Sequence, residues 1–238
     1  MSVQALIFDV DGTLAETEHD GHRIAFNQAF ADDGLGWHWD EALYRELLAT
    51  TGGKERMRGW WQRVDPAAAA APEAAARIAR LHARKTAIYV DLVARGAVQL
   101  RPGVARLLHA AREAGITLAI ATTTSPDNVQ ALLQATLGAD SPGWFACIGA
   151  GDVVPAKKPA PDIYHWVLQR LGLAAADCLA LEDSAPGSAA AVAAGLPTVV
   201  TRSRYTLADR LPPSPLLRAD LADLAAVDLA QLRSWHAG

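Results

Sequence analysis

Two aspartates one residue apart, Asp9 and Asp11, open the stretch Asp9-Val10-Asp11-Gly12-Thr13 where an apolar run ends. Carboxylates that close repel each other, so they need a cation or a shared proton. Glu182-Asp183-Ser184 supplies a second group of hard oxygens. Such oxygens suit Mg²⁺, with water and phosphate oxygens completing its shell. Thr122-Thr123-Thr124 places hydroxyls just ahead of a helix start at Ser125-Pro126-Asp127, and the amides of a helix N-terminus attract anions. Lys158, in Lys157-Lys158-Pro159, offers a compact positive charge. A carboxylate nucleophile, a second carboxylate for proton transfer, a cation site and an anion cradle are together the parts of phosphoryl transfer. Taken singly, each stretch has a plainer reading. Asp-x-Asp-Gly-Thr can be a turn or part of a calcium loop, the threonines strand-end polarity, Lys-Pro a solvated loop, Glu-Asp-Ser a helix cap. Their order, each at the end of an expected element, favours the joint reading.

The elements that must position these residues are legible in the apolar pattern. Gln4–Val10, Ile116–Ala121, Phe145–Ile148, Cys178–Leu181 and Thr198–Thr201 read as buried strands. Helices are expected over Val104–Ala114, closed by Gly115, from Ser125 onward, over Pro161–Leu171, and over Ala185–Ala194, closed by Gly195. Strand alternating with helix implies a doubly wound parallel sheet, an α/β fold, with ligands outside the carboxyl ends of its strands. Between the first strand and the rest, residues 18–96 are helical in period, without a convincing strand, and hold four of the seven tryptophans (Trp37, Trp39, Trp60, Trp61). The expected organisation is a core of residues 1–15 and 100–238 with an all-helical insertion, 16–99, hinged near 15–17 and 96–102. The tryptophans are expected to pack the insertion's own core.

Composition narrows the class. The chain has 238 residues, 51% hydrophobic and 20% charged, with a net charge of −4, enough to bury a core without disulfides or a structural metal. No basic run suggests nucleic-acid binding. The N-terminus lacks the pattern of a signal peptide and no apolar stretch is of membrane-spanning length, so a cytoplasmic protein without a membrane partner is expected, with a monomer as the default. Cys147 and Cys178 read as buried free thiols of a reducing compartment, and zinc-ligand spacing is absent.

With these residues in place, the chain resembles the haloacid dehalogenase superfamily over essentially its whole length. The matching motifs are FDVDGTL at 8–14, Thr122, Lys158-Pro159, and LEDS at 181–184. The resemblance implies a Rossmann-like core in which Asp9 attacks phosphorus to form a phosphoaspartyl enzyme and Asp11 is the general acid and base. It implies that Asp9, the Asp11 backbone carbonyl and Asp183 bind Mg²⁺, with Glu182 as acidic support or a further ligand. Thr122, the Thr123 amide and Lys158 would hold the phosphoryl group. The presence of Asp11 places the chain on the phosphoryl-transfer side of the superfamily, away from true dehalogenases.

The helical insertion resembles the cap of the β-phosphoglucomutase-like branch. Three stretches, AETEHDGHRIAFN at 15–27, TTGGKERM at 50–57 and ARKTAIYV at 83–90, are most similar to the CbbY group of sugar-bisphosphate phosphatases, which implies xylulose-1,5-bisphosphate as substrate. A second phosphate needs a second cationic pocket. Lys54, Arg56 and Lys85 are the candidates, with Gly52 and Gly53 allowing close backbone approach and Glu16 and Glu18 accepting from sugar hydroxyls. Only four of the 22 basic residues are lysines, and all four fall in these stretches or the phosphate loop. His22 reads as a helix-surface or capped histidine, although it too could meet a sugar hydroxyl. The alternative reading is a phosphosugar mutase, using the same Asp9 and Asp11 but returning the phosphoryl group to sugar. A phosphonate-cleaving enzyme with Lys54 as Schiff-base lysine, and a non-catalytic sugar-phosphate sensor, are the remaining possibilities.

Overall fold

The computed structural model describes residues 3–238. Six strands form one parallel sheet in the order β3-β2-β1-β4-β5-β6: β1 Ala5–Phe8, β2 Thr117–Ala121, β3 Phe145–Gly149, β4 Cys178–Glu182, β5 Thr198–Thr201 and β6 Leu217–Leu221. The chain winds outward in one direction from β1 through β2 and β3, and in the other through β4, β5 and β6. The direction reverses between β1 and β4, the point at which such sheets open a ligand crevice.

Side-chain alternation divides the sheet into two unlike faces. Leu6, Phe8, Leu118, Ile120, Leu179 and Leu181 pack on one side with α6 (Val104–Glu113), α7 (Pro126–Leu137) and α10 (Leu229–Ala237). Ala5, Ile7, Ala119, Ala121, Cys178 and Ala180 face the other side, covered by α8 (Asp162–Leu171) and α9 (Ala185–Ala193). The small residues on that second face let α9, itself built of Ala, Gly and Ser, lie close to the sheet.

The insertion is helical: α1 Arg23–Asp32, entered through a π-turn at Glu18–His22, then α2 Glu41–Leu47, α3 Gly53–Val64, α4 Pro66–Ala69 and the 21-residue α5 Ala74–Ala94. It closes around its own cluster of Phe26, Phe30, Trp39, Tyr44, Met57 and Trp61, with Trp37 and Trp60 packed against it. The two chain crossings into it lie side by side, Ala15 bridging Leu100 and the Leu14 carbonyl accepting from the Arg101 amide at 2.8 Å.

The sequence reading stops the sheet at Thr198–Thr201, whereas β6 and α10 follow. β6 is an edge strand with Arg218 and Asp220 in it, so its apolar run is broken. Its pairing is reinforced instead by Arg202 forking onto Asp220 at 2.7 and 2.9 Å. Cys178 is buried but Cys147 is only half-buried. Ser125 precedes α7 without a side-chain cap bond.

Candidate active site

The carboxyl ends of β1 and β4 converge because the two strands pair Phe8 with Leu181 and the Asp9 amide donates to the Leu181 carbonyl at 2.9 Å. Asp9 continues the Ala5–Ile7 face, and Glu182 continues the Cys178–Ala180 face, so both acids project to the same side. Lys158, brought in ahead of α8, lies between them. Its Nζ donates to Asp9 Oδ1 at 2.7 Å, to Glu182 Oε1 at 2.5 Å and to the Ala121 carbonyl of β2 at 2.9 Å. The Tyr164 hydroxyl from α8 also donates to Glu182 Oε1, while Glu182 Oε2 is buried without a partner.

Asp9, Glu182 and Asp183 are all buried and can each bring an oxygen within 4.8 Å of the others. Burial pushes the Asp9 carboxyl up to about 7, with the charges of Glu182 and Asp11 adding to the rise against the pull of Lys158. Burial, then the Asp9 charge, holds Asp183 well above the usual carboxylate range. One lysine therefore does not neutralise three buried carboxyls. A divalent cation with hard-oxygen preference fits this donor set and would relieve the repulsion.

Two glycines make room for the cluster. At Gly12, φ is +80° and a Cβ would strike the Asp183 carboxylate. At Gly187, in the first turn of α9, a Cβ would strike Glu182. The Thr206 hydroxyl, in the loop after β5, approaches Asp183 Oδ2 at 3.4 Å.

Asp11 does not continue the strand direction of Asp9. The chain turns at Val10, whose carbonyl accepts from the Thr13 and Leu14 amides, and Asp11 faces the insertion. Its Oδ1 accepts from Thr17 Oγ1 at 2.5 Å and lies 2.9 Å from His22 Nε2. Burial alone would raise its pKa, but the charge and hydrogen bond of His22 and the hydroxyl of Thr17 bring it down to about 2. The reading of His22 as a surface or capped histidine is thus corrected: it is 3% exposed and packs on the Tyr89 ring. Its other nitrogen meets Lys85 Nζ at 2.8 Å.

The remaining residues singled out from sequence divide into those lining the central cavity and those outside it. That cavity, about 470 Å³, takes Asp9, Asp11, Thr123, Lys158, Glu182 and Asp183 at its floor and Glu18 and Arg56 from the insertion. Thr122 is buried at the end of β2, where its hydroxyl accepts from the Thr124 amide at 3.3 Å. Arg56 donates to the Tyr44 hydroxyl at 3.0 Å and lies 3.7 Å from Glu18, which accepts from Tyr44. Lys85 is buried over the Phe26 ring, where burial lowers it to about 8 despite the Glu18 and Asp11 charges. Lys54 lines a separate groove of about 850 Å³ between α5 and α7, together with Gly52 and Gly53, and pairs with Asp152 at 2.7 Å. Glu16 turns away from the cavity floor toward Arg101, 3.3 Å away, and the Arg204 amide. Sequence reading missed Arg45 of α2 and Arg210 of the loop after β5, which line the central cavity. Neither stands in a motif. Tyr164 was legible in hindsight as the residue one helical turn into α8 from Pro161, on the face that meets the sheet.

Residues 3–195 match the family model of haloacid dehalogenase-like hydrolases, and the chain belongs to that family. It is 51% identical to the plasmid-encoded protein CbbY of Cupriavidus necator, over 99% of this chain and 98% of that one. A crystal structure of CbbY from Rhodobacter sphaeroides in complex with phosphate matches at TM-score 0.87 and 45% identity, covering 97% of this chain and 99% of that one. A mutant of the same CbbY, crystallised with xylulose-(1,5)bisphosphate, matches equally well. With these relatives and this site, the chain is a phosphatase of sugar phosphates. No helix among the described residues is long and apolar enough to cross a membrane.

Proposed function

We propose that the protein is a Mg²⁺-dependent phosphatase of a ketose bisphosphate, xylulose-1,5-bisphosphate, working through a phosphoaspartyl intermediate, with residues 16–99 serving as a cap over the site. The observation that carries this reading is the charge layout of one cavity. Carboxylates and Lys158 form its floor, and three arginines, Arg45, Arg56 and Arg210, stand around it beside two further acids, Glu18 and Asp209. A substrate with an anionic group at each end suits that layout. The bisphosphate itself comes from the ligand of the Rhodobacter sphaeroides relative.

In this reading Asp9, Asp183 and Glu182 would hold Mg²⁺ together with the Asp11 carbonyl. When bound, the ion neutralises the buried carboxylates and polarises the phosphoryl oxygens for attack. Lys158 fixes Asp9 through Oδ1, leaving Oδ2, whose neighbour is the Thr13 hydroxyl at 3.5 Å, as the attacking oxygen. Asp9 Oδ2 bonds to phosphorus, the phosphorus–ester oxygen bond breaks, and the departing sugar oxygen takes a proton from Asp11, which picks that proton up from solvent once it is freed from Thr17 and His22, the partners that otherwise hold its carboxyl down to about 2. Asp11 then takes a proton from water as that water attacks phosphorus. Phosphate leaves and the Asp9 carboxylate is restored. Thr122 and the Thr123 amide hold the phosphoryl oxygens, and Lys158 joins them by giving up one of its three present hydrogen bonds. Asp11 must release Thr17 and His22 to reach the substrate, which couples proton transfer to the segment entering the cap.

The test is phosphate release with Mg²⁺ from xylulose-1,5-bisphosphate, ribulose-1,5-bisphosphate and β-glucose-1-phosphate, with Asp9→Asn as control. Preferred hydrolysis of xylulose-1,5-bisphosphate that vanishes in Asp9→Asn is the expected result. Isomerised sugar phosphate without release of phosphate would assign the mutase reaction instead.

A further inference from the structure

Arg101 is a charged residue buried where no motif calls for one. Its side chain is 6% exposed, and a guanidinium in such a place is costly unless its donors are satisfied. They are satisfied by backbone carbonyls from three separate parts of the sheet's carboxyl edge. Nη1 donates to the Gly12 carbonyl, to Thr201 O at 2.7 Å and to Thr201 Oγ1 at 3.2 Å. Nη2 donates to Arg202 O and Ala222 O, each at 2.6 Å. Nε faces Glu16 at 3.3 Å. A lysine offers three donors from one point and cannot span this set.

The groups so clamped bear on the carboxylate cluster. Gly12 sits directly beneath the Asp183 carboxylate and packs toward Ser203. Ser203 donates its amide to Thr206 Oγ1 at 2.9 Å, and Thr206 approaches Asp183. Asp11 stands immediately before Gly12 in the Val10–Thr13 turn, and Asp9 leads into that turn. The guanidinium thus fixes the turn that directly follows Asp11 against the loop that supports Asp183. Through Glu16 and the Leu14–Arg101 backbone bond it also ties that turn to both crossings into the insertion.

We infer that Arg101 is a positioning residue for the cation site: it sets the separation of the Asp9 turn from Asp183, and with it the affinity for Mg²⁺. This rests on the reading of Asp9, Glu182 and Asp183 as cation ligands. Residues behind metal ligands commonly contribute 10- to 100-fold in affinity.

The experiment is calorimetric titration of Mg²⁺ into substrate-free wild type, Arg101→Lys and Arg101→Ala, each checked for fold by circular dichroism and melting. Binding in Arg101→Lys is expected to weaken about tenfold, and further in Arg101→Ala. Millimolar guanidinium should restore part of the affinity of Arg101→Ala, while ammonium at equal ionic strength should not. A merely structural role would lower the melting temperature and leave the affinity of the folded molecules unchanged. Wild-type affinity in the folded variants, or failure of both variants to fold, overturns the proposal and leaves the cation reading standing. A wild type that binds no Mg²⁺ overturns both.

Discussion

His22 Nε2 lies 2.9 Å from Asp11 Oδ1, so the residue expected to move protons is held by a histidine of the segment that leads into the insertion. Lys85 fixes the histidine from behind at 2.8 Å. Because burial raises the Asp11 pKa and His22 lowers it, removing His22 lets burial prevail. His22→Ala is expected to lower kcat by about 10- to 100-fold. The limb of the kcat/KM profile that belongs to Asp11 should move to higher pH. Initial rates between pH 5 and 9 check this. A lower rate with an unmoved profile would mean that His22 acts only in packing.

The carboxylate cluster gives metal-free stability an unusual pH dependence. Asp9 is raised to about 7 in the fold against about 3.9 in an unfolded chain. Between these values the folded state binds the extra proton, so stability falls as pH rises through that window and levels above about 7. Asp183, displaced in the same direction, adds to the slope. A drop on the order of 5 °C in melting temperature from pH 6 to pH 8 is expected without metal. Mg²⁺ should recover more at pH 8 than at pH 6, because binding to the folded state alone stabilises it and ionised ligands bind more tightly. Melting curves with EDTA and with Mg²⁺ at both pH values measure it. A metal-free Tm that rises from pH 6 to pH 8 would contradict the burial argument.

Gly187 marks how tightly α9 covers Glu182. A methyl group there meets both carboxylate oxygens, and overpacking of this kind costs about 1–3 kcal/mol. Gly187→Ala is therefore expected to lower Tm by about 3–10 °C and to weaken Mg²⁺ binding, since Glu182 must shift. Gly59→Ala is the control. Gly59 lies within α3 with nothing near its missing Cβ, so alanine there should be neutral or stabilising by up to about 1 kcal/mol. Equal behaviour of the two variants would remove the steric argument.

What could be read from sequence, and what could not, follows from the range of the forces involved. Asp9, Thr122, Glu182 and Asp183 are legible because each stands at a strand end where local pattern and chemistry coincide, and Lys158 because it stands beside Pro159 in the loop that leads into α8. Lys85 was placed on the right helix, and its depth was also written there: it stands four residues after Leu81 and four before Tyr89, on the buried stripe of α5. His22 reads as a surface residue because its partner Asp11 turns out of the strand direction, and that turn depends on the Val10 carbonyl accepting the amides of Thr13, Leu14 and Ala15. Arg101 falls within the expected 96–102 hinge, beside Pro102 and Gly103. Its partners at Gly12, Thr201 and Ala222 are far apart in the chain and offer chiefly backbone carbonyls, which no residue type announces. β6 escaped for a related reason, being an edge strand with charges in it.

Arg45 and Arg210 come to the central cavity from opposite parts of the molecule, one from α2 of the insertion and one from the loop after β5. Arg45 lies over the Tyr205 ring at 5.7 Å, and both arginines are exposed. Arg56, by contrast, is engaged with Tyr44 and Glu18, and Lys54 with Asp152. The two exposed arginines are therefore the better placed to meet an anionic group at the far end of a substrate whose reacting phosphate sits over Asp9. Arg45→Gln and Arg210→Gln are each expected to raise KM for xylulose-1,5-bisphosphate about tenfold, a loss of about 1.4 kcal/mol that suits one charge-assisted contact. Their kcat should change little, because the contact is made equally in ground and transition states. Turnover of a sugar monophosphate should be unaffected, and Lys54→Gln should leave the ratio of bisphosphate to monophosphate kcat/KM at the wild-type value. Steady-state kinetics on the two substrates decides the matter. If Lys54→Gln erases the preference and the arginine variants keep it, the far phosphate is held from the groove side by Lys54, one of the three basic residues the sequence analysis names for it.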